Sequence, residues 1–167
     1  MSSNFYVFFN THLRGRAAGA AGLEEVSNAL LDYLVAFKSA WNKLRPREMP
    51  VFRGIAVRDE DLDTIRREYM SGRILYWHAV TSVSADERVA AGFEKGTEAA
   101  ASFRIAAVDA RSVKLFSAIP SEDELLLFPG TSFLVNSPPQ NFMPPQSSKV
   151  HVCFLQQMKP EQKPFSF

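Results

Sequence analysis

Hydrophobic residues in the first quarter of the chain recur at helical spacing. Apolar side chains stand every three or four positions, at Leu23, Val26, Leu30, Leu34, Phe37, Trp41 and Leu44. This spacing aligns one apolar face along a helix of roughly two dozen residues. The Arg45-Pro46 step ends the helix, because the residue before a proline avoids helical backbone angles. The pattern therefore predicts one long amphipathic helix.

A strand and a second helix are predicted next. Met49 to Val57 is a short apolar run with a single charge, at Arg53, which is typical of a strand. Asp59 can cap the following helix, in which acidic residues come first and basic residues last, as the helix dipole favours. Gly72 is expected to end this helix.

The second half of the chain is predicted to form mainly strands. Ile74 to about Ser82 is rich in aromatic and β-branched residues, which favours one strand, and a short helix is expected from Ala85 to Phe93. Further strands are expected at Ala101 to Val108, Val113 to Phe116, Glu124 to Phe128, Thr131 to Val135 and Lys149 to Leu155. The Pro-rich stretch from Ser137 to Pro145 fits a stiff loop. Helices followed by strands predict an α+β fold.

Length and charge narrow the class of protein. The 167 residues suit a single domain spanning 1–167. With 19 Lys and Arg against 18 Asp and Glu, the net charge of +1 lacks the field that nucleic-acid binding requires. The apolar run Phe5 to Phe9 is too short for a signal peptide, and no run approaches the ~20 apolar residues of a membrane span. We expect a soluble monomer with no nucleic-acid or membrane partner.

Histidines and the lone cysteine give little support for a metal site. His12, His78, His151 and Cys153 do not form closely spaced ligand pairs, so no metal is expected. His151 and Cys153 share one face of a predicted strand, which favours buried packing, although their spacing also allows a Cys/His nucleophilic pair.

Two strand segments carry polar groups suited to phosphate and sugar. Arg53 on a rigid strand could clamp a phosphate in bidentate fashion, and Gly54 beside it would let the backbone approach a ligand. Taken alone, an arginine in a strand is usually an edge residue or one half of an ion pair. The hydroxyls of Thr81 to Ser84 could orient a ribose or a carboxylate, or simply bond local backbone groups.

Two glutamates stand immediately before an apolar run. If the strand begins at or before Glu122, two-residue periodicity puts Glu122 and Glu124 on one face, roughly 7 Å apart. An acidic surface turn explains the pattern equally well. The catalytic interpretation assigns one carboxylate to a sugar centre that develops positive charge and the other to the incoming nucleophile.

The order of these motifs is more informative than any one of them. The segments Val51 to Gly54 and Val80 to Ser84, then Phe93, then Phe116 to Thr131 resemble the Arg, Ser-x-Ser and Glu-x-Glu segments of arginine-specific mono-ADP-ribosyltransferases. The resemblance covers about half of the chain, from Val51 to Val135. It implies an ADP-ribosyltransferase-like fold, with N-terminal helices followed by two packed, mainly antiparallel sheets around an NAD cleft.

The resemblance also implies roles for individual residues. Arg53, with Gly54, would bind the diphosphate and ribose region of NAD⁺, and Ser82 and Ser84 would position the nicotinamide ribose and the catalytic glutamate. Phe93 would stack on nicotinamide, unless it is a core residue of the short helix. Glu124 would be the catalytic glutamate and Glu122 the residue that engages the acceptor arginine. Leu115 to Ser121 would form the turn that presents the target protein.

The activity implied is transfer of ADP-ribose from NAD⁺, used as a co-substrate without a metal, to an arginine of a target protein. The protein would act in the cytoplasm or be delivered into a host cytosol as a toxin or effector. Two alternatives stay open. One is an NAD⁺ glycohydrolase with water as acceptor, and the other is a non-catalytic NAD-binding or interaction module of the same fold.

Overall fold

The computed structural model of the protein describes residues 10–11, 24–92, 99–117, 123–142 and 149–159. Residues 10 and 11 are helical. The later helices are α1 (Glu24–Lys43), α2 (Asp59–Glu68) and α3 (Glu87–Gly92), with a 3-10 turn at Lys114–Phe116. The described strands are β1 (Pro46–Val57), β2 (Ile74–Trp77), β3 (Thr81–Ser84), β4 (Ala99–Ser112), β5 (Glu124–Leu127), β6 (Thr131–Phe142) and β7 (Lys149–Gln157).

Hydrogen bonds join the seven described strands in the order β1-β3-β5-β4-β7-β6-β2. Every pairing is antiparallel except that of β4 with β7. The expected α+β class with a mainly antiparallel arrangement is therefore confirmed. β4 pairs along its length with β1, and on its other edge first with β7 and then, at Arg111 and Ser112, with β5.

This arrangement departs in one respect from the two separate sheets that the sequence predicts. β4 is 14 residues long and therefore pairs both with β5, next to β3, and with β7, next to β6 and β2. β1, β3, β5 and the end of β4 close a small ring, while β7, β6 and β2 extend from the first part of β4. The division into two distinct sheets is not confirmed, because hydrogen bonds connect all the described strands.

The main core lies on the inner faces of these strands. Its largest fully buried side chains include Phe103, Ile105, Phe133 and Leu155. Tyr69, which follows α2, and Trp77, at the end of β2, pack against Phe103 with ring centroids 5.0 and 5.5 Å apart. Alternation along β4 puts Arg104 and Ala106 on the opposite face.

The long amphipathic helix predicted from the apolar stripe is confirmed as α1, which ends at Lys43. Tyr33, Leu34 and Phe37 pack against Val80, and Trp41 is 4% exposed against the ring of Phe128. The helix therefore lies across the segment that leads into β3 and across the end of β5.

The start of the second helix differs from its prediction. α2 begins at Asp59, so Arg58 occupies the N-cap position, and no side chain caps the helix. The helix ends at Glu68, before Gly72, and Gly72 instead takes a left-handed φ of 81° in the turn that leads to β2. Charge order correctly indicated a helix here, but its boundaries depend on neighbouring turns.

Three strand predictions also require correction. Ile74 to Ser82 is not one strand: β2 ends at Trp77 to pair with β6, and β3 begins at Thr81 to pair with β5. Val113 to Phe116 is not a strand, because a 3-10 turn occupies Lys114–Phe116. The Pro-rich stretch predicted as a loop from Ser137 to Pro145 is strand as far as Phe142, because β6 continues to that residue with register shifts around Ser137, and residues 143–145 lie outside the described residues. Prolines have no backbone N–H to donate to a neighbouring strand, and the irregular pairing of β6 with β7 around Ser137 accommodates them.

Candidate active site

The candidate site forms where β1, β3 and β5 meet. Ser84 faces Phe52 of β1 on one side and Glu124 of β5 on the other. Ser82 faces Leu126, so Ser82 and Glu124 are diagonal neighbours on the same face of the β3–β5 pair. The pairing of these strands brings together residues that are 42 positions apart in the chain.

Two hydrogen bonds connect the three strands through side chains. Arg53 Nη1 donates to the backbone oxygen of Ser82 at 2.6 Å. The Ser82 hydroxyl donates to Glu124 Oε1 at 2.7 Å. A hydrogen bond to an ionised carboxylate is about twice as strong as a neutral one, so the serine holds the glutamate in a defined position.

These groups line a cavity of about 200 Å³. Its polar residues lie on β1, β3 and β5, and α3 contributes an apolar side. The lining residues are Phe52, Arg53, Gly54, Ser82, Val83, Ser84, Val89, Ala90 and Glu124. A cation, a carboxylate and hydroxyls around one small cavity suit a ligand that combines phosphate with sugar.

Most residues singled out in the sequence meet at this cavity. Arg53, Gly54, Ser82, Ser84 and Glu124 all line it. Ser84 is buried, and its hydroxyl accepts a hydrogen bond from the Asp86 N–H. Phe93 and Glu122 lie outside the described residues.

The residue before Glu124 changes the geometry that the sequence suggested for the two glutamates. β5 begins at Glu124, and Asp123 has a left-handed φ of 44°. A short polar side chain such as aspartate tolerates this conformation better than most residues. Strand alternation therefore gives no position for Glu122 relative to Glu124, because β5 begins only at Glu124 and Asp123 before it is not in the strand.

The sequence interpretation missed the apolar side of the cavity. Val89 and Ala90 reach it from α3, and Phe52 and Val83 from the two strands. The short helix predicted from Ala85 to Phe93 indicated where α3 would be, but not which strand it would cover. That choice requires the pairing of β1 with β3.

A partly buried tyrosine packs against the register partner of Arg53. Tyr69 packs on Phe103, which is the register partner of Arg53, and its hydroxyl accepts a hydrogen bond from Trp77 Nε1 at 3.1 Å. Burial raises the pKa of Tyr69 to about 12, while the Trp77 bond and the Arg53 charge act in the opposite direction. Burial also raises the pKa of the Cys153 thiol to about 12.

The described residues contain neither a cluster of metal ligands nor a membrane-spanning helix. No group of three or more His, Cys, Asp or Glu side chains among them could hold a metal ion. Within the same residues, no helix is both long enough and apolar enough to cross a membrane.

Comparison with solved structures defines the class of fold. No family model matches the sequence, and no curated protein matches it either. Solved ADP-ribosyltransferases match its structure throughout most of the chain, and the protein has the ADP-ribosyltransferase fold.

Three of these structures illustrate the likeness. The Vis toxin, an ADP-ribosyltransferase from Vibrio splendidus, solved in complex with agmatine, has 22% identity and a TM-score of 0.68, with 96% of this chain and 72% of that chain covered. Exoenzyme S from Pseudomonas aeruginosa, bound to carba-NAD and human 14-3-3 protein beta, has 17% identity and a TM-score of 0.62, with 92% and 67% covered. The catalytic domain of VahC from Aeromonas hydrophila has 16% identity and a TM-score of 0.66, with 94% and 93% covered.

Proposed function

We propose that this protein is a mono-ADP-ribosyltransferase that transfers ADP-ribose from NAD⁺ to an arginine side chain of a target protein. The observation that carries the proposal is the hydrogen-bonded set of Arg53, Ser82 and Glu124 around one cavity of an ADP-ribosyltransferase fold. Residues 1–167 would act as one catalytic domain, with the protein a monomer.

NAD⁺ would bind with its nicotinamide ribose in this cavity. The volume of about 200 Å³ is smaller than the ~300–1,000 Å³ typical of whole-ligand pockets, so it suits one part of a dinucleotide. Arg53 would bind the diphosphate and ribose region, with Gly54 allowing close backbone approach, and Phe93 would stack on nicotinamide. The structure of exoenzyme S bound to carba-NAD supports NAD⁺ as the co-substrate.

Glu124 would act on bond cleavage. The bond between ribose C1′ and the nicotinamide nitrogen breaks, and its electron pair leaves with a nicotinamide that becomes neutral. Positive charge then develops on the sugar. A carboxylate that accepts a hydrogen bond from the ribose 2′-hydroxyl stabilises this transition state more than the ground state. Ser82 would keep that carboxylate in position.

Glu122 would act on the acceptor. A protonated guanidinium is a poor nucleophile, so Glu122 would orient the arginine and accept a proton as a guanidinium nitrogen bonds to C1′. Agmatine, the ligand in one Vis structure, carries a guanidinium and supports an arginine-like acceptor. The described residues end before Glu122 on one side and resume after it, so its role rests on the sequence resemblance.

The target protein would approach along the 3-10 turn. Leu115 and Phe116 are 92% and 77% exposed, which is unusual for large apolar side chains so close to a site. Similar structures include a toxin and a type III effector, which favours action inside a host cell, on a host protein.

The decisive experiment measures nicotinamide release from NAD⁺ with and without agmatine, together with agmatine labelling. Wild type is expected to release nicotinamide and label agmatine. Glu124→Gln keeps the shape of the side chain but removes its charge, and should lose both activities. Nicotinamide release without labelling would instead identify an NAD⁺ glycohydrolase, and no release by a folded wild type would indicate a non-catalytic module.

A second variant tests the acceptor step separately. Glu122→Ala should lose agmatine labelling but keep measurable NAD⁺ hydrolysis, because C1′–nicotinamide cleavage depends on Glu124. Equal labelling by wild type and Glu122→Ala would contradict the role proposed for Glu122.

A further inference from the structure

A buried asparagine from the N-terminal helical turn contacts the segment that leads into β3. Asn10 is 2% exposed, and its side-chain oxygen accepts a hydrogen bond from the Val80 N–H at 3.1 Å. The Asn10 side-chain nitrogen donates back to the Val80 backbone oxygen at 3.5 Å. The side-chain amide thus reproduces the exchange of two bonds that facing residues make between antiparallel strands.

Val80 is a point at which the chain changes partners. β2 ends three residues earlier and pairs with β6, whereas β3 begins one residue later and pairs with β5. Val80 itself is buried against Tyr33, Leu34, Phe37 and Leu126. Val80 immediately precedes β3, so a shift of its backbone would also move Ser82, two residues later.

β3 is short, so only a few backbone pairings fix its position along β5. It is four residues long, with four register pairs to β5 and one to β1. A small slide of so short a strand would lengthen the 2.7 Å bond between Ser82 and Glu124. The hydrogen bonds between Asn10 and Val80, just before β3, therefore restrict a slide of β3 along β5.

We propose that Asn10 is a positioning residue, which holds the start of β3 so that the Ser82 hydroxyl stays bonded to Glu124. This inference rests on the proposed function and adds to it a contribution from the N-terminal part of the chain, 70 residues before Val80. Asn10 acts through Val80 and does not line the cavity. A displacement of about 1 Å in such a site can cost on the order of a hundredfold in rate.

The kinetic test compares Asn10→Ala with Thr11→Ala, an exposed neighbour on the same helical turn. Nicotinamide release by Asn10→Ala should show a kcat about tenfold to a hundredfold lower, with a smaller change in KM. Thr11→Ala should match wild type. Cys153→Ala, which removes a buried side chain of β7, controls for lost stability. This variant should keep its kcat at temperatures where it is folded. Unchanged kcat in folded Asn10→Ala would overturn the inference.

A second variant, Asn10→Asp, separates positioning from bulk. When protonated, the new carboxyl group can accept from the Val80 N–H and donate to the Val80 oxygen, as asparagine does, whereas the ionised form has no donor. The kcat of Asn10→Asp relative to wild type should therefore increase as pH falls. Of the four side chains packed on Val80, only Tyr33 titrates. Burial raises its pKa above the ordinary value of 10.0, away from the acidic range in which a carboxyl group titrates. A ratio that does not change with pH would contradict the assigned hydrogen bonds.

Amide hydrogen exchange tests the same contact without relying on activity. Exchange in the peptide containing Val80 to Ser84 should be faster in Asn10→Ala than in wild type or Thr11→Ala. If wild type released no nicotinamide, the proposed function would fail, and this measurement alone would decide whether Asn10 holds β3. Equal exchange in all three proteins would overturn the inference.

Discussion

Glu124 owes its position to the residues around it as well as to its own strand. The left-handed Asp123 turns the chain immediately before β5, and the Glu124 backbone oxygen accepts a hydrogen bond from the Val113 N–H at 3.1 Å. Ser82 then bonds the carboxylate from the neighbouring strand. A glutamate whose backbone is fixed by Val113 and whose carboxylate is fixed by Ser82 is preorganised, so little reorganisation is needed when charge develops on the substrate.

Removing the Ser82 hydroxyl tests this preorganisation. A hydrogen bond to a charged group contributes ~1.5–3 kcal/mol, so Ser82→Ala should lower the kcat for nicotinamide release by about tenfold to a hundredfold. Ser82→Thr keeps a hydroxyl and should recover part of the loss. Ser71→Ala, which removes an exposed serine far from the cavity, is the control. A kcat for Ser82→Ala equal to that of the control would show that the bond has no catalytic importance.

The partly buried Tyr69, which packs on Phe103, should make stability depend on alkaline pH. The unfolded chain ionises Tyr69 near its ordinary pKa of 10.0, whereas the folded protein, with a pKa of about 12, keeps it neutral to higher pH. The unfolded state therefore releases a proton first, and the stabilising contribution, complete below pH 10.0, is lost as pH rises to about 12.

This effect is measurable by urea unfolding across that pH range. The free energy of unfolding of wild type should fall more steeply with pH than that of Tyr69→Phe. Tyr76→Phe, which removes a more exposed phenol on β2, is the matched control. The Cys153 thiol, with an ordinary pKa of 9.0, adds a loss of the same sign in all three proteins. Parallel curves for wild type and Tyr69→Phe would contradict the buried, neutral phenol.

Among the elements, α1 packs over the segment that precedes β3 and over the end of β5. Its C-terminal part is held by Arg111, which donates to the Leu44 backbone oxygen, pairs with Asp109 and lies over the Trp41 ring. Trp41 and Phe37 contact Phe128 at the end of β5. The helix thus covers the strand whose first residue is Glu124.

Two substitutions on α1 should differ sharply in their effect on stability. Trp41→Ala empties a buried aromatic position and should lower the free energy of unfolding by ~3–5 kcal/mol. Val35→Ala lies on the exposed face, 70% exposed, and should change it by less than ~0.5 kcal/mol. Urea unfolding at neutral pH measures both. Similar losses from the two variants would contradict the way in which α1 is packed.

At the scale of the whole molecule, the exposed 3-10 turn lies close to the start of β5, the strand that carries Glu124. The Lys114–Phe116 turn follows β4, and Lys114 lies 3.7 Å from Asp123, the residue before Glu124. A protein that contacts Phe116 would therefore come close to Glu124, whereas a small acceptor would have no need of that contact.

Phe116→Ser separates these two kinds of acceptor. Labelling of proteins in a host lysate should fall by about tenfold, while agmatine labelling stays within about twofold of wild type, because contact area is lost only for a protein target. Met70→Ser, which changes another exposed apolar residue, is the control. Equal loss with agmatine and with protein targets would place Phe116 in catalysis rather than in target contact.

Local sequence patterns identified most of the elements and the residues of the cavity. Periodicity located α1, α2, α3 and the strands β1, β4, β5 and β7 to within a few residues, because apolar spacing reports which side of an element is buried. The order of the Arg, Ser-x-Ser and Glu-x-Glu segments, through its resemblance to arginine-specific ADP-ribosyltransferases, also singled out Arg53, Ser82 and Glu124, whereas each motif alone had a simple structural explanation.

The tertiary structure decided how those pieces meet. The break at His78 to Val80 exists because β2 and β3 pair with different strands, and a run of aromatic and β-branched residues contains no sign of that change. The turn at Asp123, the apolar side supplied by α3 and the contact from Asn10 likewise depend on partners far along the chain. The sequence alone determined which residues are candidates for the chemistry; only long-range pairing determined their distances, because register and burial are properties of contacts between segments.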